Sequence, residues 1–242
     1  MGEVNLYQSY DKGVVQLVGI NRISQLLLVK SLIESHVDYI LIDGALDRKS
    51  SALPRLSEAM ILSTGAVIGE NLEDVINKTS YELKKLMINS LENKDHLLKL
   101  QSYENKGISI LWTEQKGIVK FNSPTSLMLI NDVIEYIKKN NIKEIKYLFI
   151  NGAFTDTVAK KIVNLKYDNF KLLISDSTKL FLNKMNFNLL TKNNIQINVL
   201  YPLNIIGLTI NPYNPEGVSL DKDIFFKEIN KSINIPIYNI KA

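Results

Sequence analysis

The chain has 242 residues, a net charge of +4 and a hydrophobic fraction of 45%, values typical of a globular protein with a substantial core. It contains no cysteine, which excludes disulfides, thiolate metal sites and cysteine nucleophiles. No apolar run approaches the roughly 20 residues that a membrane helix needs, and no signal peptide opens the sequence. We therefore expect a cytoplasmic protein with no membrane partner.

The positive charge comes from lysines spread along the chain, with only short clusters such as Lys84-Lys85 and Lys138-Lys139. A nucleic-acid-binding protein is expected to concentrate its basic residues in a stripe with interleaved aromatic residues. The distribution of charge therefore predicts no nucleic-acid partner.

The first half of the chain carries turn signals, apolar runs and helical periods in alternation. In chain order these patterns predict a hairpin over residues 3–19, a helix over 22–35 and strands over 38–43 and 59–65. A long helix with a break over 71–100 and a second hairpin over 108–122 follow. The composition changes near Asn122, and we predict a boundary there between two related lobes, 1–122 and 123–242.

The second half alternates more regularly between helical and strand patterns. Helices are predicted over residues 126–140, 156–165, 177–186 and 221–232. Strands are predicted over residues 145–150, 171–175, 196–201, 205–210 and 235–238. Strands that alternate with helices of about ten residues or more are typical of an α/β fold with a mainly parallel sheet flanked by helices.

An acidic loop follows the apolar run Tyr39–Ile42 and offers five candidate ligand-binding residues, Asp43, Gly44, Asp47, Arg48 and Ser50. Ligands bind where parallel strands end, and a carboxylate at such a position holds Mg²⁺ in many nucleotide-hydrolysing proteins. Asp43 is therefore the candidate metal ligand. The alternative is that Asp43 caps a turn through nearby backbone amides, and that Arg48 only pairs with a neighbouring carboxylate.

Two further loops carry candidate ligand-binding residues at predicted strand ends. Thr64 and Gly65 end the next strand. Gly65 either places backbone amides near a ligand or permits a tight turn. Asn151, Gly152 and Asp156 follow the strand that ends at residue 150, in an Asn-Gly-Ala motif that echoes the Asp-Gly-Ala motif at Asp43. The alternative for Asp156 is to cap the helix that begins there.

The chain contains no G-x-x-x-x-G-K-[ST] motif, the loop that wraps nucleotide phosphates. A self-contained ATPase of that type is therefore not predicted. The sequence also shows no cobalamin-binding motif.

Four segments of the sequence resemble one family, the small subunit of the reactivase for adenosylcobalamin-dependent lysine 5,6-aminomutase. They are Ile42-Asp43-Gly44-Ala45-Leu46-Asp47-Arg48-Lys49-Ser50, Ile61-Leu62-Ser63-Thr64-Gly65-Ala66, Asn151-Gly152-Ala153-Phe154-Thr155-Asp156 and Thr209-Ile210-Asn211-Pro212-Tyr213. The resemblance extends over nearly the whole chain.

The resemblance implies an accessory, chaperone-like factor of lysine fermentation that works with a MutS-like ATPase to restore a damaged cobalamin-dependent aminomutase. It implies that Mg²⁺ and ATP act at the Asp43 loop, with Asp43 as the Mg²⁺-side carboxylate. Members of the family begin with a segment that carries a phosphate-binding loop. This sequence begins past that point, so we do not expect nucleotide hydrolysis by this chain alone.

Two other functions remain open from the residues themselves. One is a small-molecule enzyme that uses Asp43, Asp47 and Asp156 for acid–base chemistry across two lobes. The other is a pure interaction module in which the Asx-Gly-Ala loops are structural turns.

Overall fold

The computed structural model describes residues 11, 13, 23–42, 53–167 and 169–239. Contacts divide the chain into two compact units, Met1–Asp43 and Gly44–Ala242. The hairpin predicted within residues 3–19 lies almost entirely outside the described residues.

The first unit contains helix α1 (Ile23–Ile33), which confirms the helix predicted over residues 22–35. The helix ends in a turn in which the His36 N–H donates to the Ile33 carbonyl over 2.8 Å. Beyond the turn, residues 38–42 form no strand. Tyr39 and Leu41 are 88% and 95% exposed. The prediction of a buried strand is therefore wrong for residues 38–42, because the side chains that would enter a core lie in solvent.

The second unit contains ten strands and six helices among its described residues. In chain order they are β1 (Met60–Gly65), α2 (Leu72–Leu86), α3 (Lys94–Glu104), β2 (Ser109–Thr113), β3 (Gly117–Phe121), α4 (Ser126–Lys139), β4 (Tyr147–Ile150), β5 (Phe154–Thr155), α5 (Asp156–Val163), β6 (Lys171–Ile174), β7 (Leu180–Phe181), α6 (Lys184–Lys192), β8 (Gln196–Val199), β9 (Ile205–Asn211), α7 (Lys222–Ser232) and β10 (Ile237–Asn239).

The larger sheet has five strands in the order β3-β2-β4-β6-β8. Strand β2 is antiparallel to both of its neighbours, and β4, β6 and β8 are parallel to one another. The register aligns Ile150 with Ile174 and Ile174 with Val199 at the carboxyl ends. The connections through α4, α5 and α6 return to this sheet, so the predicted α/β fold with helices flanking a largely parallel sheet is confirmed.

Alternate residues of the five-stranded sheet enter two apolar cores. Leu148, Ile150 and Ile174 pack with residues of α4, α5 and α6. Phe149 and Leu173 point to the other side and pack with Leu100 of α3. The period of two along each strand therefore places α4–α6 on one face and α3 on the other.

The smaller sheet is parallel and has the order β1-β9-β10. Leu208 and Ile210 of its central strand are buried against Val75 of α2 and Phe225 of α7. Both sheets take strands from both sides of residue 122, where the sequence predicts a boundary between lobes.

The segment after β6 differs from the single helix predicted over residues 177–186. Asp176 caps one 3-10 turn at Ser177–Lys179, and β7 follows by pairing in parallel with β5. Asn183 then caps α6, which begins at Lys184. The helix prediction was wrong in its first half, because pairing with β5 draws Leu180 and Phe181 into a strand.

Candidate functional site

The carboxyl edge of the five-stranded sheet is the candidate functional site, because β4, β6 and β8 all end there. Helices α4, α5 and α6 each follow a strand that points to this edge, so all three begin beside it. Three of the predicted site residues lie here, Asn151 and Gly152 in the loop after β4 and Asp156 at the start of α5.

The predicted residues of the acidic loop, Asp43, Gly44, Asp47, Arg48 and Ser50, lie outside the described residues. Their assignment to Mg²⁺ and nucleotide stays a prediction. Among the residues that the structure describes, no group of three or more His, Asp or Glu side chains is arranged to hold a metal ion.

Asp156 is the first residue of α5, and its carboxylate joins α5 to α6. Asn183 donates to it twice, from the backbone N–H and from the side-chain amide, over 3.0 Å each. Asn183 in turn caps α6 by accepting from the Asn186 N–H over 2.8 Å. Asp156 therefore positions the start of the next helix.

Asn151 joins the end of β4 to the neighbouring strand β2 and to the end of α3. Its backbone N–H donates to Ser109 Oγ over 3.0 Å, and its side-chain amide donates to the Glu104 carbonyl over 3.1 Å. A Cβ on the adjacent Gly152 would lie 2.7 Å from Ser126 Oγ, at the start of α4. The two hydrogen bonds hold the loop after β4 against β2 and α3, and Gly152 leaves room for Ser126.

Thr64 and Gly65 lie in the other sheet, at the end of β1. Thr64 is buried, and its hydroxyl lies 2.7 Å from that of Thr79 in α2. A Cβ on Gly65 would lie 2.5 Å from the Asn211 carbonyl oxygen. Gly65 is extended, with φ −177°. The close approach of β9 therefore accounts for the glycine, and Thr64 joins β1 to α2.

The polar residues after β6 are also engaged within the fold. Asp176 accepts from the Thr178 N–H over 2.9 Å and from the Thr178 hydroxyl. Ser177 donates to the Leu86 carbonyl over 2.8 Å. Asp176 therefore caps the 3-10 turn that precedes β7.

On the α3 side of the same edge, Arg55 forms an ion pair with Glu104 and donates to Asn105 Oδ1 over 3.3 Å. Its guanidinium carbon lies 5.1 Å from the centroid of the Tyr201 ring. Burial works to lower the pKa of Arg55, but the Glu104 carboxylate and the Tyr201 hydroxyl outweigh it, so the pKa is raised. The salt bridge fixes the segment before β1 against the end of α3.

Four exposed apolar side chains lie at the carboxyl edge, and sequence reasoning missed them. We name Leu127, Met128, Phe181 and Met185 the apolar edge; they are 43%, 52%, 57% and 67% exposed. Leu127 and Met128 lie in the first turn of α4, and Phe181 pairs with Thr155, directly before α5. Met185 lies in the first turn of α6.

A local signal for the apolar edge exists in the sequence. Residues 127–130 are four consecutive apolar residues in a helix. At 3.6 residues per turn such a run covers most of the helix circumference, so it cannot face the core entirely. Leu129 and Ile130 are buried, which leaves Leu127 and Met128 in solvent.

Charges of both signs lie near the apolar edge, where Asp156 begins α5 and Asp176 caps the turn before β7. The amino ends of α4, α5 and α6 meet there, and each carries a partial positive charge from its backbone dipoles. Lys179 and Lys184 flank Phe181 and Met185 in the sequence. The surface therefore suits a partner that offers apolar side chains.

None of the described helices is long and apolar enough to cross a membrane. Comparisons of the chain with protein-family models, with curated proteins and with solved structures gave no match in any of the three.

Proposed function

We propose that this chain is an accessory, chaperone-like protein that binds a cobalamin-dependent lysine aminomutase and helps a partner ATPase to restore it. It acts through protein contacts in the cytoplasm. The apolar edge is the surface that meets the aminomutase.

The observation that carries the proposal is the exposure of Leu127, Met128, Phe181 and Met185 along one edge of the sheet. Large apolar side chains grouped on a surface are typical of protein interaction sites, since water is removed from them when a partner binds. Phe and Met are also among the residues enriched at protein interfaces.

The polar residues of the same edge support binding by the surface rather than acid–base chemistry by the described residues. Asp156 accepts two hydrogen bonds from Asn183, and Asp176 accepts two from Thr178. Each carboxylate therefore fixes the conformation of the segment that carries it.

The partner's identity in this proposal comes from the sequence resemblance to the reactivase small subunit. One of the resembling segments, residues 151–156, forms β5 and the start of α5. Strand β5 pairs with β7 and so supports Phe181. The segment that carries the resemblance thus adjoins the proposed contact surface.

The nucleotide part of the proposal assigns ATP hydrolysis to the partner ATPase. Asp43 is the proposed Mg²⁺-side carboxylate.

The test is a titration of this chain against purified lysine 5,6-aminomutase by isothermal titration calorimetry, with and without the partner ATPase and Mg-ATP. We expect saturable binding. The variant Phe181→Ser/Met185→Ser is expected to weaken it by about tenfold or more, because two exposed anchors are lost.

The matched control is Leu98→Ser/Ile224→Ser, which removes apolar side chains that are 65% and 53% exposed on α3 and α7. This control is expected to bind like the wild type. An absence of binding by the wild type, or an equal loss in both variants, would contradict the proposal.

A further inference from the structure

A cluster of aromatic rings lies on the α3 side of the five-stranded sheet, away from α4–α6. The rings of His96 and Trp112 are 4.6 Å apart between centroids, and Tyr147 lies 5.4 Å from each. His96 Nδ1 lies 2.9 Å from the Tyr147 hydroxyl, which fixes the imidazole. The residues come from α3, β2 and β4, so three elements build a rigid base.

Three lysines lie over aromatic rings of this region. The Nζ atoms of Lys99 and Lys146 lie 5.1 and 5.7 Å from the centroid of Trp112, and that of Lys120 lies 5.2 Å from the centroid of Tyr103. These are cation–π distances. We name Tyr103, Trp112, Lys99, Lys120 and Lys146 the aromatic–lysine surface.

Two of these lysines have no carboxylate partner among the residues that the structure describes. Lys146 pairs with Glu114 over 3.2 Å. Lys99 and Lys120 are exposed and form no ion pair with any carboxylate of the described residues. An ammonium group that rests on a ring has lost part of its side-chain freedom, so less entropy remains to be lost when an anion binds.

The chemistry favours a carboxylate-rich peptide over a single-stranded nucleic acid as the ligand of this surface. Proteins that bind single-stranded nucleic acid offer aromatic faces on which bases stack. Here ammonium groups lie over both Trp112 and Tyr103. What the surface presents outward is a set of positioned positive charges, which complements an acidic peptide.

We propose that the aromatic–lysine surface binds an acidic segment of a protein partner. This inference goes beyond the proposed function. The surface lies on the opposite face of the sheet from α4–α6 and does not depend on what occupies the apolar edge.

Trp112 is the chain's single tryptophan, so its fluorescence reports on this surface alone. The experiment titrates the intact chain with poly-L-glutamate and follows that fluorescence. We expect a saturable change. The variant Lys99→Gln/Lys120→Gln is expected to bind about tenfold more weakly, because it removes the two unpaired charges.

The matched control is Lys160→Gln/Lys192→Gln, which removes two exposed lysines from α5 and α6 on the other face. It is expected to stay within about twofold of the wild type. Circular dichroism checks that both variants are folded.

Three results would overturn the inference. One is a Trp112 signal that does not respond to poly-L-glutamate. Another is equal weakening in both double variants, which would show attraction by net charge only. The third is tighter binding of oligothymidylate with the same dependence on Lys99 and Lys120, which would assign the surface to nucleic acid.

Discussion

His96 is half-buried, with its ring between the Tyr147 hydroxyl and the edge of Trp112. Burial lowers its pKa from the ordinary value of 6.5, and the charge of Lys146 lowers it further. Below pH 6.5, the unfolded chain binds a proton at His96 more readily than the folded protein does. The stability from neutral His96 is therefore present above pH 6.5 and is lost as the pH falls through the folded pKa.

We predict that His96→Gln reduces the loss of unfolding free energy when the pH falls from about 7 to about 5. The measurement is a set of urea titrations across that range, compared with the wild type. His36→Gln is the matched control, because it removes the chain's other histidine and leaves the pair of His96 and Tyr147 intact. Identical pH dependence in the wild type and His96→Gln would contradict this account.

Single residues show what a sequence can and cannot indicate about a site. Gly65 was a candidate for a ligand loop or a turn, but the reason for the glycine is the Asn211 backbone, 146 residues later in the chain. Thr64 likewise bonds to Thr79 across the junction of β1 and α2. No local pattern predicts such partners, because they are set by the packing of distant elements.

At the scale of elements, Asp156 connects two helices that run side by side. Its carboxylate accepts from both donors of Asn183, the residue that caps α6. The substitution Asp156→Ala removes the carboxylate, and the two N–H donors of Asn183 then lack their acceptor. We expect a loss of about 1–2 kcal/mol in the free energy of unfolding, measured by urea denaturation.

The control for Asp156 is Glu73→Ala in the first turn of α2. The exposed Glu73 carboxylate interacts with the helix dipole but has no hydrogen-bond partner among the described residues. Its expected effect is below about 0.5 kcal/mol. If both substitutions destabilise the protein equally, the bonds to Asn183 contribute nothing beyond the dipole.

The elements predicted best were those with local signals at both ends. Helix α4 begins at the Thr125 cap, which accepts from the Met128 N–H over 3.2 Å, and the sequence placed its start correctly. The helix predicted over 177–186 was wrong in its first half, because β5 pairs with residues 180–181. A strand of two residues has no periodicity to detect.

At the scale of the whole second unit, specific contacts join the two sheets and their helices. Tyr81 of α2 donates to the Leu182 carbonyl over 2.8 Å and packs edge-on against Phe187 of α6. Burial raises the pKa of Tyr81 to about 12. Ser177 adds a bond to the end of α2. These contacts therefore fix the elements of the apolar edge against α2, which packs on the smaller sheet.

The α/β fold followed from the alternation of strand and helix patterns, which depends on local periods. The candidate surfaces did not follow from it. Lys99 and Lys146 lie over Trp112 of β2, and Lys120 lies over Tyr103 of α3, so residues far apart in the sequence build this surface. The apolar composition of Tyr39–Ile42 predicts burial, yet Tyr39 and Leu41 are exposed. Burial depends on which other elements pack against a run, and the composition of the run does not indicate them.

The activity proposed for this chain is to help restore a cobalamin-dependent lysine aminomutase. The most direct measurement starts from purified lysine 5,6-aminomutase that turnover has inactivated. It is incubated with adenosylcobalamin, Mg-ATP and the partner ATPase, with and without this chain. We predict that aminomutase activity returns only when the chain is present, and that Phe181→Ser/Met185→Ser slows its return. Equal recovery without the chain, or no recovery with it, would contradict the account.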